Sequence, residues 1–112
     1  MVDPKLVALS SPDLQAPALP LDPTNCCVHL EALIGPSPDS CEVFYFMAVT
    51  PSWLAASPTS WGHGLLIVQS FSWGTVQMAV ELQLRHASRS SWELVAAELG
   101  RFMRWEFDGC NR

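Results

Sequence analysis

Hydrophobic and polar residues alternate over residues 27–34, which is the pattern of a strand with one buried face. Residues 35–40 are rich in glycine, proline, serine and aspartate, the residues that favour a chain reversal, and a second apolar run follows over residues 41–49. The two runs predict a β-hairpin. The apolar positions expected on its core face in the first strand are Val28, Leu30, Ala32 and Ile34.

Weaker patterns predict three further elements. A short strand is expected within residues 2–10, followed by an irregular arm, because the next stretch contains four prolines. Thr50 and Pro51 suit the cap and first position of a short helix. Residues 62–71 are rich in Leu, Ile and Val after a glycine, and they predict an internal strand.

The last third of the chain has helical periodicity. Residues 73–86 carry apolar side chains at positions 76, 79, 80 and 84, which share one helical face. Residues 91–104 predict a second helix, and Ser90 with Glu93 has the spacing of a capping box at its start. Its expected core face consists of Trp92, Val95, Ala96, Leu99, Phe102 and Met103.

This order, with strands first and helices last, predicts the α+β class. We expect one domain over residues 1–112, in which an antiparallel sheet of about four strands carries two C-terminal helices packed on one face. A chain of 112 residues is long enough for one hydrophobic core.

The charge is distributed unevenly. Residues 1–84 carry seven acidic residues against a single lysine, Lys5, whereas the remaining 28 residues carry four acidic residues and five arginines. Such a surface repels phosphate backbones and attracts a basic partner, so direct nucleic-acid binding is not expected. The simpler alternative is an acidic surface that serves solubility.

Motifs for catalysis or metal binding are missing from the sequence. It has no G-x-S-x-G turn, no H-E-x-x-H and no phosphate-binding loop, so we expect a protein that is not an enzyme and has no cofactor. Cys26, Cys27, His29 and Cys41 lack zinc-site spacing, and free thiols are expected. A cysteine-dependent enzyme that uses Cys41 or Cys110 with a histidine remains an alternative.

No apolar run approaches the roughly 20 residues of a membrane helix, and the first residues do not resemble a secretory signal. These features predict a cytoplasmic protein that does not enter a membrane.

Short motifs along most of the chain resemble bacterial immunity protein family eight of polymorphic toxin and contact-dependent growth inhibition systems. Each motif is weak alone, but their order and spacing from about residue 11 to 107 are fairly specific. They are Ser11-Pro12-Asp13, Asp22-Pro23, Ile34-Gly35-Pro36, Thr50-Pro51-Ser52-Trp53-Leu54, Gly62-His63-Gly64-Leu65-Leu66-Ile67-Val68, Ser91-Trp92-Glu93, Leu99-Gly100-Arg101 and Trp105-Glu106-Phe107.

The resemblance implies a non-catalytic protein that binds a cognate toxin and protects the cell that makes both. Many such toxins are nucleases, and a basic nuclease surface suits an acidic inhibitor. After Phe107 the chain departs from the family pattern, with Asp108-Gly109-Cys110. A small cysteine-dependent enzyme and a non-catalytic adaptor subunit remain the alternatives.

Six residues are the candidates for partner binding. Glu31 and Glu42 stand on the two strands of the predicted hairpin and are expected to be exposed, and Asp39 lies in the turn between them. Aromatic residues near element ends supply possible anchors, although packing is their alternative role. These aromatic candidates are Trp53, Trp61 and His63.

Overall fold

The computed structural model describes residues 1–57 and 62–107. These residues form three helices and one five-stranded sheet. In chain order the elements are β1 (Lys5–Ser10), β2 (Cys27–Ser37), β3 (Ser40–Val49), α1 (Pro51–Ala56), β4 (Leu65–Ile67), α2 (Trp73–Arg85), α3 (Trp92–Leu99) and β5 (Arg104–Trp105).

The sheet confirms the predicted α+β class. Its strand order is β1-β2-β3-β4, and β5 pairs with β3 beside β4. All pairs are antiparallel except β3 with β4, which is parallel. The strand predicted within residues 62–71 is present as β4, but it has only three residues and, among the described residues, pairs with β3 alone, so its internal position was predicted wrongly.

The predicted alternation of the first hairpin strand is confirmed. Its even-numbered residues from Val28 to Ile34 lie in the core, and they share this face with Phe44, Phe46 and Ala48 of β3. Phe44 is fully buried at the centre of this core. The buried strand residues on this side are Val28, Leu30, Ala32, Ile34, Phe44, Phe46 and Ala48.

Both C-terminal helices pack on this same face of the sheet. Helix α2 begins where the Ser72 hydroxyl accepts a hydrogen bond from the Thr75 N–H at 3.1 Å. Its buried residues recur every four positions, as the sequence predicts for one helical face. They are Val76, Val80 and Leu84, and they join the strand residues in one cluster with Val95, Ala96 and Leu99 of α3.

Helix α3 is shorter than predicted. Its N-cap is Ser91 rather than Ser90, and the Ser91 hydroxyl accepts a hydrogen bond from the Leu94 N–H at 3.3 Å. The helix ends before Gly100, and residues 104–105 pair with β3 instead of continuing the helix. Phe102, which was expected in the core, is therefore 43% exposed, whereas Met103 is buried.

A cluster of one carboxylate and two indoles attaches α3 and β5 to the sheet. One oxygen of Glu42, Oε1, accepts hydrogen bonds from Nε1 of Trp92 at 2.7 Å and from Nε1 of Trp105 at 2.9 Å. The Phe44 ring meets Trp92 edge to face, with centroids 6.3 Å apart, and stacks on Trp105. We call these four residues the Glu42 cluster.

Thr50 has a different role from the predicted one. It stands at the N-cap position of α1 but makes no side-chain cap hydrogen bond. Its buried hydroxyl instead accepts a hydrogen bond from the Cys26 N–H at 3.0 Å, which ties the end of β3 to the start of β2.

Candidate functional site

One face of the sheet lies opposite the two C-terminal helices, and we call it the outer face. Its side chains come from the odd-numbered positions of β2 and β3 and from the strand that flanks them. Apolar groups occupy the middle and polar groups the margins, an arrangement found at protein interfaces. The outer face consists of His29, Glu31, Leu33, Val43, Tyr45, Met47 and Arg104.

A groove of about 460 Å³ crosses the outer face. Three of its lining residues form one row across the strands, because Glu31 pairs with Tyr45 and Tyr45 pairs with Arg104. Tyr45 stands in the middle of this row and is 41% exposed. The groove therefore has an aromatic centre with a carboxylate on one side and a guanidinium on the other.

The charged side chains of this row have no ion-pair partner among the described residues. Among residues 1–57 and 62–107, neither Glu31 nor Arg104 forms an ion pair, and the Tyr45 hydroxyl makes no hydrogen bond. Their hydrogen-bonding and charge capacity is thus available to another molecule.

A contact between a carboxylate and an imidazole borders the groove in the loop after β1. Asp13 Oδ2 accepts a hydrogen bond from the His29 backbone N–H at 2.9 Å and lies 2.9 Å from His29 Nδ1. The backbone hydrogen bond, followed by the contact with the ring, holds the pKa of Asp13 below its usual range. Asp13 consequently stays negatively charged at the edge of the outer face.

His63 lines the same groove from the turn before β4. Its Nε2 donates a hydrogen bond to the Gly100 carbonyl at 2.8 Å, so the ring is fixed to the segment after α3. Gly64 has a φ of +79°, and the Arg104 side chain lies 3.4 Å from the position that a Cβ atom would take there. Gly64 therefore serves the bend into β4.

The structure separates the two glutamates that the sequence places together. Glu31 and Tyr45 form a pair on the outer face, whereas Glu42 pairs with Ile34 on the core face. Glu31 and Glu42 are both half-buried, so the expectation that these two carboxylates are exposed strand charges was wrong. Glu42 belongs to the Glu42 cluster.

The other candidates are spread over the molecule. Glu31 and His63 line the groove. Asp39 is exposed at the tip of the hairpin, and Trp53 is half-buried on α1. Trp61 lies outside the described residues. Partner binding by these residues stays a prediction.

Sequence reasoning missed Tyr45 and Arg104. Tyr45 belongs to an unbroken apolar run, so no alternation marks it as outward-facing, and Arg104 was assigned to a helix. Pairing with the clearly alternating strand β2 is the signal that places Tyr45 on the outer face.

A second concavity, of about 390 Å³, lies between β4, α2 and the segment after α3. We call it the apolar groove. It is lined mainly by aliphatic and aromatic groups, and its exposed members include Leu82 and Phe102. Among the described residues, Arg101 is the one charged residue of its lining, and it pairs with Glu98 at 3.2 Å.

The described cysteines, Cys26, Cys27 and Cys41, are free thiols, while Cys110 lies outside the described residues. The Cys41 thiol donates to the Ser37 carbonyl at 3.2 Å. Nowhere in residues 1–57 and 62–107 do three His, Cys, Asp or Glu side chains come close enough to hold a metal ion.

Alkylation should distinguish the thiols. Burial, and secondarily the nearby Asp22 charge, raises the pKa of Cys26, and burial raises that of Cys27. We therefore expect iodoacetamide at pH 8 to modify Cys26 most slowly of the three, as measured by peptide mass spectrometry over time. Two intramolecular disulfides in the unreduced protein would contradict the prediction of free thiols.

The fold and the outer face define a small α+β domain that presents an open sheet surface to other molecules. The sequence matches the family described as Immunity protein 8 over residues 7–109, and the chain belongs to this family. The protein is thus an immunity protein, a role that implies binding of a cognate toxin protein. No curated protein and no solved structure matches the chain. None of the helices in the described residues is long and apolar enough to cross a membrane.

Proposed function

We propose that the chain neutralises a basic toxin domain, of the nuclease type, in the cytoplasm of the cell that produces it. It acts by binding and not by catalysis, and its acidic surface attracts the toxin and brings it into contact. The main support for the proposal is that residues 1–84 of this immunity protein contain seven acidic residues and only one lysine.

The positions of three of these acidic residues support the proposal. Glu31 stands on β2 at the outer face, Asp13 lies beside it in the loop after β1, and Asp39 lies at the hairpin tip. A carboxylate held by a strand meets a toxin lysine or arginine with little loss of conformational entropy. An acidic surface of this kind suits the basic substrate site of a nuclease.

The two alternatives predict different behaviour. A cysteine-dependent enzyme would lose a turnover activity on alkylation of Cys41 or Cys110. An adaptor subunit would form a stable self-complex or a complex with a protein other than a toxin. The Cys41 thiol contacts backbone carbonyls at the hairpin tip. These contacts do not support a role for Cys41 as a catalytic nucleophile.

The first test is the salt dependence of association with the toxin domain encoded by the neighbouring gene. If the acidic field draws the toxin in, its association rate constant should fall by about tenfold or more between low and high ionic strength, because salt screens exposed charges. Reversing Glu31 and Asp39 to lysine should lower the rate at low salt and weaken protection of cells that express the toxin. Surface plasmon resonance measures the rates.

Glu81→Lys, at the helical side of the domain, provides the control, since it makes the same change in charge away from the outer face. Its effect on the rate should be clearly smaller than that of Glu31→Lys alone. Glu42 is unsuitable for reversal, because lysine there removes the acceptor of two indole hydrogen bonds and lowers stability. A rate unaffected by salt and by the reversals of Glu31 and Asp39 would contradict the electrostatic mechanism.

A further inference from the structure

We infer that the toxin docks on the outer face, with Tyr45 as the central anchor and with a toxin arginine held between the Tyr45 ring and Glu31. This inference rests on the proposed function and adds to it the surface used and the chemistry of the group that is recognised. It also assigns a binding role to Tyr45 and Arg104.

The first support is the row formed by Glu31, Tyr45 and Arg104. Cross-strand pairing fixes their order, and a backbone distance of about two strand spacings, or about 10 Å, separates the two charged residues. A rigid sheet therefore presents a carboxylate, an aromatic ring and a guanidinium in a line. The toxin can match this line with few conformational adjustments.

The second support is the unused capacity of these side chains. A carboxylate beside an exposed aromatic ring suits an arginine, because the guanidinium can stack on the ring and pair with the carboxylate at once. Glu31 has no cation of its own within residues 1–57 and 62–107. Arg104 likewise lacks an internal acid in this part of the chain, and it would meet a toxin carboxylate.

The opposite charges at the two ends of the row give the complex a direction. A toxin segment bound with its arginine at Glu31 would, if reversed, place like charges together at both ends. The row thus selects one orientation, and the surrounding apolar groups Leu33, Val43 and Met47 exclude water from the centre.

The apolar groove is the competing surface. It offers exposed Leu82 and Phe102, its described lining contains no carboxylate, and its arginine is already paired with Glu98. A basic toxin would find no charge complement there. The observations therefore favour the outer face over the apolar groove.

The test measures dissociation constants of the full chain with the toxin domain encoded by the neighbouring gene. Tyr45→Ala should weaken binding by about thirty-fold, as expected for an aromatic anchor at an interface centre. Tyr45→Phe keeps the ring and should stay within about threefold of wild type. Glu31→Gln should weaken binding about tenfold and reduce its salt dependence. Leu82→Ala and Phe102→Ala serve as controls and should bind as wild type does.

Hydrogen exchange of the wild-type complex gives a second measurement that does not depend on how the variants fold. Protection on binding should appear in β2, β3 and β5 and not in α2. Two results would overturn this inference and leave the proposed function intact, provided that the wild-type chain binds the toxin domain. One is wild-type affinity of Tyr45→Ala. The other is weakened binding of Leu82→Ala together with protection of α2. Failure of the wild-type chain to bind the toxin domain would contradict the proposed function itself.

Discussion

Gly35→Ala is expected to destabilise the domain by at least about 3 kcal/mol, because the hairpin has no space for a side chain at this position. A Cβ atom built on Gly35 would overlap the Ser40 carbonyl oxygen and come within 2.8 Å of the Cys41 Cα. Both are backbone atoms of the partner strand, so the clash can be relieved only by moving the hairpin. Urea unfolding followed by tryptophan fluorescence gives the change in free energy.

Gly74→Ala is the matched control for this substitution. Gly74 lies in the first turn of α2, and nothing approaches within 4 Å of the position of its added Cβ. Alanine is the better helix former, so this variant should gain about 0.5 kcal/mol. If the two glycine variants had equal stability, close approach of the strands at Gly35 could not be the reason for the glycine there.

Trp92→Ala is expected to lower the free energy of unfolding by about 3 to 5 kcal/mol. The indole packs against the core, meets Phe44 edge to face and donates a hydrogen bond to Glu42, so its loss leaves both a cavity and a carboxylate with one donor fewer. Because the side chain attaches α3 to β3, the loss should also shorten the lifetime of the native state.

Trp92→Phe separates the two contributions. Phenylalanine keeps an aromatic ring but has no N–H donor, so its effect should be closer to about 1 to 2 kcal/mol. In a Glu42→Gln background the additional effect of Trp92→Phe should shrink, since the charged acceptor is already gone. A Trp92→Ala variant with wild-type stability would show that the Glu42 cluster does not hold α3 on the sheet.

The parts of the fold that the sequence predicts well are those where one residue period dominates. Alternation in residues 27–34 identified the core face of β2, and the four-residue spacing of Val76, Val80 and Leu84 identified that of α2. In both elements burial on one side alone determines the pattern, so local sequence is sufficient.

Long-range contacts explain where prediction failed. The apparent periodicity up to Met103 suggests a longer α3, but Trp105 gains stacking on Phe44 and a hydrogen bond to Glu42 by pairing with β3. Tertiary packing overrides helix propensity there. β4 is similar, since its pairing with β3 is parallel and no local pattern specifies the crossover between them.

Charged residues and turn residues in the sequence predicted part of the candidate site. Glu31 and His63 line the groove, whereas Glu42 lies on the core face despite its similar place in the hairpin. The pairing register of the strands determines on which face each glutamate lies, because a shift by one residue would move every side chain of a strand to the opposite face. The charge pattern alone contains no information about register.

The opposite orientation of neighbouring residues in β2 and β3 has an evolutionary consequence. Residues that form the core and residues that form the outer face alternate along the same two strands and point to opposite sides of the sheet. A substitution at exposed Tyr45 should therefore change the surface with little loss of stability. On the proposed docking surface, new specificities could thus arise while the core is inherited unchanged.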